Sequence, residues 1–349
     1  MKFLLTFLLS CFAAQAVEPL EVYNPANCVN YSLNNTPAWP ATYCRTVPQW
    51  YLNNSGEESL LYQNGLIYPS GTEPGGNNDL NLIHGRRADG VIVGIIDTGC
   101  NPHEDLAGVL IGGAYINDRP PAAFIEGQYG DWDPYGHGTG IASIIAAERN
   151  GIGMAGVAPG AKLLIVSTAL VFPEYAAGNV AKGIVWLVNH GARVICLSWG
   201  ESDTPNSELY TAMIHARNNG VAIASAVRYG GNLDQTPTYP YAWNFDHYVA
   251  VCGTTRTGTL ISGTAIGSRV VGAPGDRIVM ASVDDPYVYD NGNSFASPMV
   301  AGILAQMRAR QPSYPSAAVF VNRIKTSAAM HPVAGIMGNV DATAALARM

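Results

Sequence analysis

The sequence predicts an α/β fold: three layers, with a mainly parallel β-sheet between two layers of helices. Three observations predict it. From residue 81 onward, short apolar or β-branched runs alternate with helical segments, as in parallel strands joined by crossover helices. The runs are apolar along their whole length, which suits strands covered on both faces. Hydrophobic residues make up 48% of the 349 residues and charged residues only 13%, so the chain can fill a large core.

In order, the predicted strands are 91–96, 163–166, 193–198, 221–226 and 248–252. The predicted helices are 138–147, 178–190 and 207–218, the last stopped by Gly220, and an apolar helix over 299–307. Pro298 fits a first helical turn, where amide hydrogens have no partner within the helix. Residues 69–78 are rich in Gly, Pro and Asn and read as a surface loop.

The N-terminus reads as an address. Met1-Lys2 precede an apolar run over 3–13 and then Ala14-Gln15-Ala16, which together make a secretory signal peptide, residues 1–16, cut after Ala16. Leu9-Ser10-Cys11 offers an alternative lipoprotein site. The run is too short to span a membrane. The predicted location is therefore secreted, extracellular or periplasmic. Residues 17–48 form an extension with prolines at 19, 25, 37, 40 and 48. In an oxidising compartment, Cys28 and Cys44 there are expected to form a disulfide. Cys100, Cys196 and Cys252 lie in or beside apolar strands and read as buried, unpaired small hydrophobes. Net charge is −7, with no basic run longer than Arg86-Arg87, so no nucleic-acid partner is expected. The expected state is a monomer with no membrane partner, its catalytic domain running over residues 49–349.

Chemistry gathers at three places. Ser294 lies in Gly292-Asn293-Ser294-Phe295-Ala296-Ser297-Pro298, at or just before a helix N-terminus. Backbone N–H groups and the helix dipole there favour negative charge, a ready partial oxyanion hole. A serine nucleophile needs a base, and the base an orienting carboxylate. His137, in Gly136-His137-Gly138-Thr139-Gly140, opens a helix, and Asp97, in Ile96-Asp97-Thr98-Gly99, ends a strand.

With these blocks in the order Asp, His, Ser, the chain resembles the subtilisin-like serine proteases, the subtilases of peptidase family S8. Lesser signatures agree: Gly156-Val157-Ala158-Pro159, Val194-Ile195-Cys196-Leu197-Ser198-Trp199-Gly200 and Gly272-Ala273-Pro274-Gly275. The resemblance runs from about Gln49 to the C-terminus. It implies a subtilisin-like fold and a serine endopeptidase acting on peptide or protein substrates, with Ser294 as nucleophile, His137 as general base and Asp97 orienting it. The strand ending Ser198-Trp199-Gly200 would pair with the substrate backbone, the segment near Phe172 and Tyr175 would form the opposite edge, and Thr238-Tyr239-Pro240 would floor a pocket of apolar or aromatic preference.

The resemblance breaks at the oxyanion donor. The family places an Asn after the strand that here runs over 221–226. In strict register Arg228 takes that position, and with a short insertion Asn232 does. Asn293, where the family has Thr, offers a third candidate donor. Asp105 and Asn150 match a family calcium site, so Ca²⁺ is an implied structural ion. Only some thirty residues separate the signal from the catalytic domain, too few for the usual folding-assisting propeptide. That shortage and the displaced Asn motivate an alternative: a catalytically impaired subtilase fold that binds peptides. A generic esterase would share the chemistry without needing a long cleft.

Overall fold

The computed structural model describes residues 80, 86–117, 123–127, 133–149, 153–168, 173–199, 202–282 and 287–347, together with short strands at Gln15–Ala16, Leu60–Gln63 and Leu66–Pro69. Residues 1–14 and the extension over 17–48, with Cys28 and Cys44, lie outside the described residues. The main sheet has nine strands: β1 (Ile92–Asp97), β2 (Leu110–Asn117), β3 (Ala123–Glu126), β4 (Lys162–Thr168), β5 (Val194–Leu197), β6 (Ala222–Ala226), β7 (Tyr248–Thr254), β8 (Val270–Pro274) and, past a hairpin, β11 (Gly338–Asn339). The hairpin is β9 (Ile278–Ala281) paired antiparallel with β10 (Tyr287–Asp290), and Gln15–Ala16 adds to the outer edge of β10. Across the sheet the order is β11-β8-β7-β6-β5-β1-β4-β2-β3. All neighbours are parallel except β2 and β3.

Side chains alternate across the strands and feed two cores. Val93 and Ile95 of β1, Ala222 and Ala224 of β6, and Val249 and Val251 of β7 join one core with α1 (His137–Ala146), α4 (Asn293–Arg310) and α5 (Ala318–Ala329). Ile96, Ile223, Ala250 and Cys252 join the other with α2 (Pro173–Asn189) and α3 (Ser207–Asn218). The three-layer expectation therefore holds. Cys100, Cys196 and Cys252 are buried and unpaired, as expected.

Six of the eleven numbered strands fall outside the predicted runs: β2, which carries Gly112-Gly113 in its middle, and the short β3, β8, β9, β10 and β11. A larger difference concerns α4. It begins at Asn293, so Pro298 stands in the second turn rather than the first. Its missing N–H leaves the Ser294 carbonyl without the usual helical donor. The Ser198 hydroxyl, just past β5, donates to that carbonyl at 2.9 Å and the Ser297 hydroxyl at 3.3 Å. A proline that reads as costly in isolation thus leaves an acceptor that ties β5 to the start of α4.

Candidate active site

Asp97 is the last residue of β1 and fully buried, at the carboxyl end of the central parallel strands where sites in such folds form. Its Oδ1 accepts from the Thr98 N–H at 2.7 Å and faces His137 Nδ1 at 2.7 Å. A carboxylate only accepts, so Nδ1 carries the proton and Nε2 is the basic nitrogen.

His137 opens α1, and the start of α1 is held by a residue the motif reading passed over. Asp133 is buried. Its Oδ1 accepts from the Thr98 hydroxyl at 2.7 Å and from the Gly136 N–H at 3.0 Å. Its Oδ2 accepts from the Thr139 N–H at 2.8 Å and the Thr139 hydroxyl at 2.7 Å. The helix N-cap itself, Gly136, is left-handed and offers no side chain, so Asp133 takes over the capping. Thr98 Oγ1 also accepts from the Gly138 N–H at 3.0 Å and lies 3.2 Å from Asp97 Oδ1, so one hydroxyl links both carboxylates and the helix start. The approach is close enough that a Cβ at Gly138 would overlap the Gly99 carbonyl oxygen, which explains the glycine after His137.

Ser294 is the second residue of α4, and its hydroxyl donates to the Ser198 carbonyl at 3.4 Å. Its neighbour Phe295 packs on the His137 ring at 5.6 Å between centroids, which brings the starts of α1 and α4 together. Beneath them Ser198 Oγ and Ser297 Oγ are 3.1 Å apart, and Cys196 Sγ lies 3.8 Å from each. Burial pushes the Cys196 thiol up to about 12, so it stays a neutral packing group.

A buried carboxylate on an imidazole, with a helix-start serine next to the residue that packs on that imidazole, supplies the groups that nucleophilic acyl transfer requires. The profile of the Subtilase family, Peptidase S8, matches residues 88–340. The chain belongs to the subtilase family. It is 32% identical over 245 residues to Subtilisin BL of Lederbergia lenta, covering 70% of this chain and 85% of that protein. It is 31% identical to M-protease of Shouchella clausii over 70% of its own length, but spans only 60% of that relative. Among solved structures, proteases from Pseudoalteromonas arctica share the fold at a TM-score of 0.67, with 24% identity, over 77% of this chain and 94% of theirs. Membership places the chain in the class of serine-type endopeptidases.

The subtilase's electrostatics favour a charged imidazole. Burial of His137 opposes its charge, but Asp97 outweighs this by attraction and hydrogen bonding, and Asp133 and Asp290 add to it, so the ring is held above its ordinary 6.5. Asp290, at the end of β10, is itself pushed up by burial, with His137 pulling the other way.

The other predicted residues fall out unevenly. Trp199 packs at the rim of the α2–α3 core, and Gly200 lies outside the described residues. Ser202 exchanges two backbone bonds with Tyr239, at 2.9 and 2.8 Å, so residue 202 lies against the segment over 238–240. Phe172 is outside the described residues, and Tyr175 is described in backbone only, in α2.

At the oxyanion position the structure redistributes the candidates. Arg228 extends to an exposed ion pair with Asp203. Asn232 Oδ1 accepts from the Asp234 N–H at 3.0 Å, an Asx turn. Asn293 is buried with its amide committed: Nδ2 donates to the Val227 and Arg228 carbonyls at 3.1 and 3.3 Å, and Oδ1 accepts from the Gly253 N–H and Thr264 hydroxyl, both at 2.8 Å. Its part is to fasten the chain leaving β6 against the start of α4.

Asp105 is buried. Its Oδ2 accepts from the Tyr287 hydroxyl at 2.7 Å and the Met154 N–H at 2.9 Å, while its Oδ1 has no hydrogen-bond partner among the described residues. Asn150 lies outside the described residues. Among the described residues no three His, Cys, Asp or Glu side chains cluster as metal ligands.

Proposed function

We propose that this chain is a secreted serine endopeptidase that cuts peptide or protein substrates, as a monomer, through an acyl-enzyme on Ser294. Ser294 Oγ attacks the scissile carbonyl while His137 Nε2 takes its proton. Asp97 holds His137 in the required tautomer and stabilises the imidazolium. The tetrahedral intermediate collapses, the C–N bond breaks, and His137 returns the proton to the leaving amine. Water, activated by the same base, then releases the acyl group from Ser294. The observation that carries this reading is the 2.7 Å contact between buried Asp97 and His137 Nδ1, with the His137 ring packed on Phe295 beside Ser294. The N-terminal pattern over 1–16 supports export, and among the described residues no helix is long and apolar enough to cross a membrane.

The test is fluorophosphonate labelling of the purified protein together with casein hydrolysis. Labelling at Ser294 with cleavage is expected. A folded protein that neither labels nor cleaves would instead favour the peptide-binding alternative.

The raised His137 has a kinetic consequence. As a base it must be neutral, so kcat/KM should rise with pH through a midpoint above the ordinary 6.5. Asp290→Asn removes one of the charges raising it and should move that midpoint down. A midpoint at or below 6.5 in the wild type, or an unmoved one in the variant, refutes the electrostatic account. By linkage, the imidazolium–Asp97 attraction stabilises the fold in full below the unfolded value and fades as pH rises through the folded one.

For calcium, the orphaned Asp105 Oδ1 fits one oxygen ligand of a hard cation, with the loop containing Asn150 supplying the remainder. The ion would add structural stability only. At a hundredfold excess over its Kd it would contribute about 2.7 kcal/mol. Millimolar calcium is expected to raise the melting temperature of wild type but not of Asp105→Asn; a wild type indifferent to calcium and to chelator excludes the site.

A further inference from the structure

We propose that Ser198 is a positioning residue for the nucleophile, an inference that rests on the protease reading above. Its hydroxyl holds Ser294 by the carbonyl that Pro298 leaves without a helical donor, and so fixes where the attacking oxygen starts.

Acyl transfer is sensitive to placement: a shift of about 1 Å in a reacting group can cost on the order of 10² in rate. Near the start of a helix, a residue is held to its own element mainly through its carbonyl, which accepts from the N–H four residues on. For Ser294 that residue is Pro298, which has no N–H to give. Two hydroxyls take its place. Ser297 donates at 3.3 Å, but it belongs to α4 and moves with it. Ser198 donates at 2.9 Å from just past the end of β5, a different element. The Ser198 carbonyl in turn accepts from the Ser294 hydroxyl at 3.4 Å. Each hydroxyl therefore donates to the other residue's carbonyl. The second bond is long, so Ser294 Oγ is readily released from it when it turns to attack.

The place of Ser198 in the sheet gives this tie its reach. β5 lies parallel to β1, with Leu197 opposite Ile96. Ser198 and Asp97 are thus the next residues along two neighbouring strands, about 4.8 Å apart in the sheet. Asp97 holds His137, and Ser198 holds Ser294. One edge of a buried sheet therefore sets both partners of the proton transfer, base and nucleophile. On its other side, Ser294 follows Asn293, whose amide binds the chain leaving β6 and the Gly253 N–H of β7. The nucleophile stands between two anchors, and only Ser198 grips the nucleophilic residue itself from another element through its carbonyl.

The experiment compares wild type, Ser198→Ala, Pro298→Ala and the double variant, all checked for folding by thermal melting. Ser198→Ala is expected to lower kcat roughly tenfold to a hundredfold with KM little changed, and to slow fluorophosphonate labelling of Ser294 in parallel. Labelling by a small fluorophosphonate needs no peptide in the cleft, so it reads the nucleophile and not substrate pairing along residues 198–200. Pro298→Ala returns an N–H to the Ser294 carbonyl. In that background the change Ser198→Ala should cost much less than it does in wild type, whereas a hydroxyl that merely packs would cost the same in both. Ser198→Cys keeps the volume but donates weakly, so it should lose activity as Ser198→Ala does, and it carries the same comparison should the alanine variant not fold. A folded Ser198 variant that labels at the wild-type rate, one that raises KM at unchanged kcat, or an equal loss in the two backgrounds overturns the assignment. A wild type that neither labels nor cleaves sinks the protease reading and this one with it; an active wild type beside an equally reactive Ser198→Ala sinks this one alone.

Discussion

Ser294→Ala and His137→Ala should each lower kcat by on the order of 10⁶, a magnitude known for the subtilisin triad rather than derived from this structure. The physical reason is that Ser294 without a base is a weak nucleophile, and the base without Ser294 has no proton to take. The double variant should therefore be no slower than either single one, since the two residues act as a unit. Asp97→Asn should cost less, about 10⁴, because it reverses the tautomer preference of His137 but leaves serine and imidazole in place. Steady-state kinetics on a chromogenic peptide, with melting curves to confirm folding, measure all four. Losses that add in the double variant, or a Ser294→Ala enzyme with substantial turnover, would remove Ser294 and His137 from the roles given to them.

Asp133→Ala should be the most damaging substitution outside the triad. It strips acceptors from the hydroxyls of Thr98 and Thr139 and from the N–H groups of Gly136 and Thr139, within a buried site. Each buried donor left unpaired costs about 1–3 kcal/mol, and two or three of them suggest roughly 3–5 kcal/mol in total. For a domain of this size that corresponds to a fall in melting temperature on the order of 10 °C. The damage also reaches function. Thr98 bridges Asp133 to Asp97, and α1 starts with His137, so kcat should fall even at temperatures where the variant is folded. The pH midpoint of kcat/KM should move down as well, because Asp133 is one of the charges holding His137 up. Melting within a degree or two of wild type would refute the capping role, and an unmoved pH midpoint would refute the electrostatic one.

These residues differ in how readily the sequence betrays them. Ser294, His137 and Asp97 each sit at an element boundary within a short run of small residues, and such local chemistry can be read without coordinates. Asp133 was legible in principle: an acid shortly before Gly-His-Gly-Thr is a capping signal. The path of the chain after β6 was not legible: it is set by the buried Asn293 amide and by pairing with residues 263–266, all distant in sequence. Strand β2 escapes prediction for a local reason, its central glycines, and β3 and β8 to β11 because short runs carry little periodicity.

Pro298 marks the same division. Local propensity places a proline in the first turn of a helix, whereas tertiary contact lets it stand deeper, because the Ser198 hydroxyl satisfies the carbonyl that the missing N–H abandons. What the sequence by itself determined was the α/β layering, the order of Asp97, His137 and Ser294, and the ends of the elements that carry Asp97 and His137. These follow from hydrophobic periodicity and capping, which act over a few residues. What only the tertiary structure decided was which polar groups surround those three. A buried donor or acceptor must find its partner wherever the fold brings one, and that choice is made between residues far apart in the chain.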